Sequence, residues 1–364
     1  MIMHVRCTLR SVVMFFFAFL CLTVTARGES PFDDNSSAKI WTPTLSIPGM
    51  RVDGESTAHL ASGIEAIHPK SRITGGFIQP CESDNERSSA SWTQFLTPLQ
   101  AVGVDTVIMQ YNQADGTNYS EATEGLLTAA DSLGMHIFIG TALNEKGWYT
   151  NKLAPWFLAK ESVIVADYTT ILVNQFKDHP SFVGVYIPYE DNTLSVPGAM
   201  GDFYGRIADA VRAAKPELKV MISPYTTPRP GVALSLPKFA LQAYFTTMLK
   251  HAKVDICAWQ DGVGGTRSQI DRVAHDLGAI SKACKLLKIS LWANLEVFRR
   301  TTPLSEDFSA EATDISTLLR QISVEAPYAE KLICFDFNHY LSPDAADPTA
   351  GKLYQDYAEY LQTP

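Results

Sequence analysis

The sequence predicts an α/β fold, a single (β/α)8 TIM barrel with an irregular N-terminal extension. From residue 72 onward, short apolar runs that end in polar, Gly or Pro residues alternate with longer amphipathic stretches. Such alternation is typical of βα units around a parallel sheet. Eight units follow one another, and their combined length matches the roughly 250 residues of this barrel. The alternative is a doubly wound open sheet, which normally has a glycine-rich turn after its first strand. Here Gly75 and Gly76 lie within the first apolar run, which favours the barrel.

The predicted strands are apolar on both faces, as expected when helices cover a parallel sheet. They are Ile73–Gln79, Thr106–Tyr111, His136–Thr141, Phe182–Tyr189, Lys219–Ser223, Val254–Gln260, Ile289–Leu295 and Leu332–Phe337.

The predicted helices combine apolar residues at helical spacing with start and stop signals. Between Ser120 and Leu133, for example, Glu121 lies in the first turn and Gly134 follows the last residue. The predicted helices are Ser91–Ala101, Ser120–Leu133, Glu161–Phe176, Met200–Ala214, Lys238–Lys250, Ser268–Leu287, Ala310–Val324 and Gly351–Leu361.

Residues 1–26 have the features of a secretory signal peptide. Arg6 and Arg10 precede a short apolar run, and Val24-Thr25-Ala26 is a small-residue cleavage pattern. A transmembrane anchor is the alternative, but the run is short for crossing a bilayer, and no later run is long enough. We therefore expect a secreted or periplasmic protein with no stable membrane span after cleavage. Residues 27–70 form an irregular N-terminal segment, and residues 71–364 form the barrel domain.

Composition narrows the partners. The chain is 46% hydrophobic and 19% charged, with a formal net charge of −9 that signal cleavage makes two units more negative. Because nucleic acids bind basic surfaces, no nucleic-acid partner is predicted. The oligomeric state stays open. Cys257 and Cys334 lie in predicted strands, where a free thiol behaves as a small buried hydrophobe.

Several catalytic motifs are missing from the sequence. There is no GxSxG, HExxH, EF-hand loop, P-loop, CxxC or Cys/His cluster. We therefore predict no metal and no cofactor.

Two glutamates end predicted strands four and seven. Glu190 closes the run that begins at Phe182, and Glu296 closes the run that begins at Ile289. A charge at the end of an apolar strand is costly, and the C-terminal strand ends of this barrel are where catalytic groups gather. Two facing carboxyls suffice to break a glycosidic bond. We therefore predict Glu190 and Glu296 as catalytic residues. The alternatives are a capping residue for Glu190 and a salt-bridge partner for Glu296.

The other predicted strand ends are rich in amides, acids and aromatic rings. Amides and acids bind hydroxyls, and flat rings pack against sugar C–H faces, so we predict a carbohydrate substrate. The predicted substrate-binding residues are Gln110, Asn112, Trp148, Tyr225, Trp259, Gln260, Asp261, Asn294, Asp336 and Asn338. Packing is the alternative for the two tryptophans, and a structural acid is the alternative for Asp336.

From about residue 70 to the C-terminus the chain resembles the clan A, cellulase-like glycoside hydrolases, and more closely a group of uncharacterised bacterial exported glycosidase-like barrel proteins. The resemblance is carried by Glu190 and Glu296, and it implies that Glu190 is the general acid/base and Glu296 the nucleophile of a retaining mechanism. The sequence departs from that clan at Tyr189, where the clan usually has Asn, and at the end of strand eight, where its usual Trp is replaced.

Two other functions are compatible with the sequence. These departures suggest a non-catalytic carbohydrate-binding barrel as the main alternative. A metal-dependent hydrolase that uses Glu190, Asp261 and Asp336 is less favoured, because histidines are sparse at the strand ends.

Overall fold

Eight parallel strands close into a barrel, as predicted. The computed structural model describes residues 71–226, 236–265, 270–303 and 305–363. The predictions for residues 1–26 and 27–70 therefore lie outside the described residues. The barrel strands are β1 (Ile73–Ile78), β2 (Thr106–Met109), β3 (His136–Gly140), β4 (Phe182–Ile187), β5 (Lys219–Ile222), β6 (Ile256–Gln260), β7 (Ser290–Glu296) and β8 (Lys331–Phe335). Each strand pairs with its neighbours in the chain, and β8 closes the ring against β1.

Helices follow the strands around the barrel. They are α1 (Ser89–Ala101), α2 (Ser120–Leu133), α3 (Glu145–Asn151), α4 (Pro155–Phe176), α5 (Pro197–Ala214), α6 (Lys238–Ala252), α7 (Ile270–Leu287), α8 (Ile315–Glu325), α9 (Phe337–Tyr340) and α10 (Pro348–Gln362). Within the described ranges, no helix has both the length and the apolar content that a membrane crossing requires.

Helix α8 begins later than predicted. The prediction started it at Ala310, but Asp314 caps it, with its carboxylate accepting the N–H of Thr317 at 2.9 Å. The preceding residues Ala310–Ala312 instead pair antiparallel with Phe298–Arg300. A short apolar-polar run next to a helix start does not distinguish an added strand from another helical turn.

The core has two layers. One cluster fills the barrel interior, and a larger one lies between the strands and the helices. The buried members of the interior cluster are Phe77, Ile108, Phe138, Tyr186, Met221, Ile256, Ala258 and Ile333. The free thiols of Cys257 and Cys334 are buried, which confirms their predicted place in the core.

Strand alternation decides which side chains of β7 face the barrel interior. Leu291, Ala293 and Leu295 belong to the outer layer, whereas Trp292 packs against the interior cluster. Since side chains alternate along a strand, Asn294 and Glu296 point to the interior side, above Trp292 at the C-terminal end.

Candidate active site

Glu190 and Glu296 both lie at the C-terminal mouth of the barrel. Glu296 is the last residue of β7, and Glu190 comes three residues after the end of β4. Repulsion from Glu190 contributes to the raised pKa of Glu296. Burial raises the pKa of Tyr225, and the charges of Glu190 and Glu296 raise it further. The two acids therefore interact across a shared space that Tyr225 also borders.

Three neighbours hold the Glu190 carboxyl. Burial raises its pKa, and this effect is opposed by hydrogen bonds from the Gln260 amide and the Tyr186 hydroxyl and by the charge of Lys152. The Tyr186 hydroxyl donates to Oε1 at 3.0 Å. Glu190 is thus a strand-end acid supplied with two donors and a nearby cation.

Asp191 adjoins Glu190, and its charge also acts on Lys152 and Tyr225. Its carboxylate accepts hydrogen bonds from the hydroxyls of Ser195 and Tyr244, the latter at 2.8 Å. Burial is the main cause of the raised pKa of Glu190.

Glu296 is buried, with 3% of its surface exposed. Burial and the charge of Asp261 raise its pKa to about 8, against hydrogen bonds from the backbone N–H groups of Gly265 and Gly264. The Gly265 nitrogen lies 2.5 Å from Oε2. The backbone of the glycine run after β6 therefore supplies donors to this carboxyl.

A second layer of acids lies behind Glu296. Asp261 Oδ1 accepts the backbone N–H of Glu296 at 3.2 Å, and its Oδ2 accepts the Gln321 amide at 2.6 Å. The same amide donates to the backbone carbonyl of Glu296 at 3.1 Å. Burial and the Asp261 charge raise the pKa of Glu325 well above its usual range, so Glu325 holds a proton beside Asp261. Asp261, predicted as a substrate contact, thus holds the backbone of Glu296 in place, and its charge disfavours ionisation of the Glu296 carboxyl.

A polar inner wall connects β5, β6 and β7. The Gln260 amide donates to the Ser223 carbonyl at 2.7 Å, and the Asn294 amide donates to the Ser223 hydroxyl at 3.2 Å. The Asn294 carbonyl oxygen is buried and has no hydrogen-bond partner among the described residues. Buried polar atoms are normally paired, so this oxygen is suited to accept a hydroxyl from a ligand.

Lys152 and Tyr149 border the same space but were missed by the sequence analysis. Lys152 follows α3, and its ammonium lies 3.5 Å from the Tyr225 hydroxyl. Burial lowers the pKa of Lys152, while the charges of Asp191 and Glu190 raise it. Tyr149 lies in the short helix α3 and Lys152 directly follows it, in a stretch of mixed composition that no motif in the sequence marks.

Two residues predicted to bind substrate, Asn112 and Asn338, instead form hydrogen bonds within the protein. The Asn112 side chain donates to Thr123 at 2.7 Å and accepts from Tyr168 at 2.5 Å. Asn338 bonds both backbone groups of Gln79, each at 3.1 Å, and so joins the ends of β8 and β1. These amides have little capacity left for a sugar.

Asp336 and Gln110 likewise make internal contacts. Asp336 is buried and caps α9 through the backbone N–H of His339 at 3.0 Å, while its other oxygen meets the His339 ring at 2.7 Å. Gln110 accepts from the Gln79 amide at 2.5 Å, yet it is partly exposed. Asp336 therefore fits its structural alternative.

The two predicted stacking tryptophans are buried. Trp148 packs against Tyr189 and Phe203, with ring centroids 5.2 and 6.3 Å away. Trp259 belongs to the outer layer, because alternation along β6 turns it away from the interior residue Ala258, and it donates to Thr226 at 3.2 Å. Only 3% and 2% of their surfaces are exposed, which matches the packing alternative and leaves almost no ring face for a sugar.

Metal ligation finds no support in the described ranges. No group of three or more His, Cys, Asp or Glu residues there is arranged to hold an ion. The set Glu190, Asp261 and Asp336 is divided among different hydrogen-bond networks.

The sequence matches a known protein family. A family model described as a domain of unknown function, DUF4434, matches residues 73–347. The chain belongs to this family. The match covers the barrel from β1 to the loop before α10, and so includes both strand-end glutamates. No curated protein matches the sequence of this DUF4434 member.

Solved structures with similar folds are glycoside hydrolases. A "putative alpha-L-fucosidase" from Bacteroides thetaiotaomicron aligns over 80% of this chain and 96% of its own, with a TM-score of 0.67 and 18% identity. β-Galactosidases from Halorubrum lacusprofundi and Marinomonas ef1 give TM-scores of 0.53 and 0.52 at 10% and 9% identity. The DUF4434 chain spans 58% and 59% of those two chains. At these identities the likeness shows a shared barrel fold.

A cavity of about 870 Å³ lies at the opposite end of the DUF4434 barrel. It is lined by residues at the N-terminal strand ends, including Thr106, His136, Lys219 and Ser290. Since barrels of this type carry chemistry at the C-terminal face, and the paired acids lie there, the candidate site is assigned to the C-terminal mouth.

Proposed function

We propose that this protein is an exported glycoside hydrolase that cleaves a polysaccharide or oligosaccharide by a retaining, double-displacement mechanism. The observation that carries the proposal is that Glu190 and Glu296 lie at the same C-terminal mouth of the barrel. Burial raises the pKa of both carboxyls, and the charge of Glu190 adds to this effect at Glu296. One protonated and one ionised carboxyl are what glycosidic bond cleavage requires.

The surroundings support a sugar as the substrate. Gln260, Asn294 and Tyr225 place amide and hydroxyl groups around the two acids, and such groups bind sugar hydroxyls. The similar folds that are named as a fucosidase and β-galactosidases agree with this class of reaction.

The resemblance to clan A assigns the acid/base to Glu190 and the nucleophile to Glu296. In the free site, a pKa of about 8 keeps a proton on Glu296 at neutral pH. Attack requires that this proton reside on Glu190 instead. The positive charge that develops on the anomeric carbon stabilises an ionised Glu296, and the Gly265 N–H already points at that carboxylate.

Replacement of each acid by its amide tests the proposal. Glu190→Gln and Glu296→Gln keep the side-chain shape but remove proton transfer and attack, so each should lower kcat on a cleaved glycan by about 10²- to 10⁴-fold. Glu359→Gln, in the exposed part of α10, is the matched control. Unchanged turnover in both active-site variants would remove the assignment.

A retaining mechanism also makes a stereochemical prediction. Retaining enzymes hold their carboxyls about 5 Å apart, whereas inverting enzymes leave room for a water between them. Proton NMR of the first product formed should show the anomeric configuration of the substrate. Initial release of the opposite anomer would replace the retaining mechanism by an inverting one.

A carbohydrate-binding barrel without turnover is the second candidate. It is favoured by Tyr189, which stands where the clan uses Asn and which points into the helical layer. Its hydroxyl donates to Glu161 at 2.8 Å and accepts the N–H of Asn144 at 3.0 Å. Glycan binding by calorimetry, with no reducing ends released over days, would favour this candidate over hydrolysis.

We also propose that the chain is exported after cleavage behind Ala26. Expression in a secreting host, followed by intact-mass measurement, should give a mature protein that starts at Arg27. A cytoplasmic product that retains residues 1–26 would contradict export.

A further inference from the structure

Lys152 is a cation at the barrel mouth whose nearest contacts are aromatic rings and one long hydrogen bond. Its ammonium lies 5.8, 5.3 and 5.9 Å from the ring centroids of Trp148, Tyr149 and Tyr225. Its hydrogen bond is to the Tyr225 hydroxyl at 3.5 Å, the long limit of such a contact. In the described part of the chain, no carboxylate forms an ion pair with it.

This arrangement is costly without a ligand. An ammonium carries three donors, and aromatic faces stabilise its charge without accepting a strong hydrogen bond. Burial lowers the pKa of Lys152, which shows that the charged form has lost solvation here. A partly buried cation with unused donors that borders a polar cleft favours an anionic acceptor.

The position of Lys152 relative to Glu190 says where that acceptor would lie. The charges of Asp191 and Glu190 both act on Lys152, and the Glu190 charge also acts on Tyr149 and Tyr225, which flank the ammonium. A sugar ring placed against Glu190 would therefore present a ring substituent toward Lys152.

We propose that the substrate carries an anionic group, a carboxylate or a sulfate, on the sugar that binds beside Glu190, and that Lys152 binds this group. This inference rests on the proposed glycosidase function and names its substrate class. A charge-assisted contact of this kind contributes about 10- to 100-fold in kcat/KM.

Matched substrates test the proposal. Aryl glycosides of glucuronic and galacturonic acid are compared with those of glucose and galactose, and with their 6-sulfated forms, in both anomeric configurations. The parent protein should favour an acidic member by about 10-fold or more over its neutral partner. Preference for the uronides or for the sulfated sugars then identifies the anion.

Variants locate the preference. Lys152→Met should remove it by lowering kcat/KM on the acidic member by about 10-fold or more beyond any loss on the neutral partner, and Lys152→Arg, which keeps the charge, should restore part of it. Lys160→Met, an exposed lysine of α4, is the control and should match the parent protein. Melting temperatures of all variants show whether each one is folded.

Each outcome separates this inference from the proposed function. Hydrolysis of acidic and neutral sugars at equal rates would overturn the inference and leave the glycosidase intact. Equal losses on both members in Lys152→Met, with a displaced pH profile, would also overturn it and show that Lys152 acts on Glu190. If no glycoside is cleaved, calorimetry with free glucuronate and glucose decides: binding of glucuronate that Lys152→Met abolishes supports the inference, and equal or no binding overturns it.

Discussion

The carboxylate of Asp261 accepts the backbone N–H of Glu296, with 3.2 Å between Oδ1 and the nitrogen. This contact fixes the end of β7 and at the same time places a second acid behind the proposed nucleophile. Because like charges disfavour ionisation, Asp261 contributes to the raised pKa of Glu296. One residue thus sets both the position and the protonation of another.

Asp261→Asn should lower the pKa of Glu296. The variant keeps an oxygen that can accept the Glu296 N–H but removes the repelling charge, while burial, the largest cause of the shift, remains. Because the proton of the free site rests on Glu296, the alkaline limb of the kcat/KM profile, which describes the free enzyme, reports Glu296 and should move to lower pH. An alkaline limb that stays in place or moves to higher pH would contradict this linkage.

Tyr186→Phe should act on the other carboxyl in the opposite direction. In the parent protein the Tyr186 hydroxyl donates to Glu190 Oε1 at 3.0 Å, and this hydrogen bond favours the ionised carboxylate. The variant removes that hydrogen bond. The pKa of Glu190 should rise, and the acid limb of the profile, which reports Glu190, should move to higher pH, with a loss of about 3- to 30-fold in kcat/KM. Tyr328→Phe serves as the control, because that tyrosine follows α8 and its ring lies beside Gly278 of α7. An acid limb that moves to lower pH in Tyr186→Phe would rule out this role.

His339 should make stability depend on pH. Burial alone would lower its pKa, but the charges of Asp336 and Asp84 raise it overall. A raised pKa in the folded state gives stability that is fully present below the unfolded value of about 6.5 and is lost as pH rises through the folded value. In melting curves, His339→Gln should therefore be most destabilised relative to the parent protein near pH 6, with a smaller difference above about pH 8. A difference that is constant with pH would show that the ring contributes packing alone.

Gly140 should tolerate no side chain. Gly140 is the last residue of β3. An added Cβ there would overlap the backbone carbonyl of Gln110, the residue that follows β2. Gly140→Ala should destabilise the fold by about 1–3 kcal/mol in chemical denaturation. Gly198→Ala is the matched control in α5, since nothing lies within 4 Å of its added Cβ. It should be neutral or stabilise by about 0.5–1 kcal/mol, because alanine is a better helix former.

The sequence was sufficient for the barrel because its signals are local and repeated. Apolar runs recur in every βα unit, and helix caps such as Gly134 after α2 agree with them. The strand ends were also readable, which located Glu190 and Glu296. Boundaries moved where tertiary pairing intervened, as at Ala310–Ala312.

Side-chain direction within the site could not be read in the same way. Counting from strand ends marks a residue near the mouth but does not say whether it faces the cleft, the helical layer or a neighbouring backbone. Trp259 is adjacent to Gln260 yet faces outward, and Asn338 bonds the backbone of Gln79. Lys152 became visible only when α3 brought its charge within range of the Glu190 carboxyl.

The assignment of roles to Glu190 and Glu296 can be tested separately from activity itself. Small nucleophiles such as azide rescue glycosidase variants in ways that depend on which carboxyl is missing. Without the nucleophile, azide attacks the anomeric carbon directly and gives a glycosyl azide of inverted configuration. Without the acid/base, azide intercepts the covalent intermediate and gives the retained configuration.

We therefore expect Glu296→Ala with azide to yield the inverted glycosyl azide and Glu190→Ala to yield the retained one, on an aryl glycoside with a good leaving group. The anomeric proton couplings of the isolated products distinguish the two. The reverse pattern would exchange the roles. That result would agree with the free-site proton resting on Glu296, whose pKa is about 8, and with the cation and two donors that stabilise an ionised Glu190.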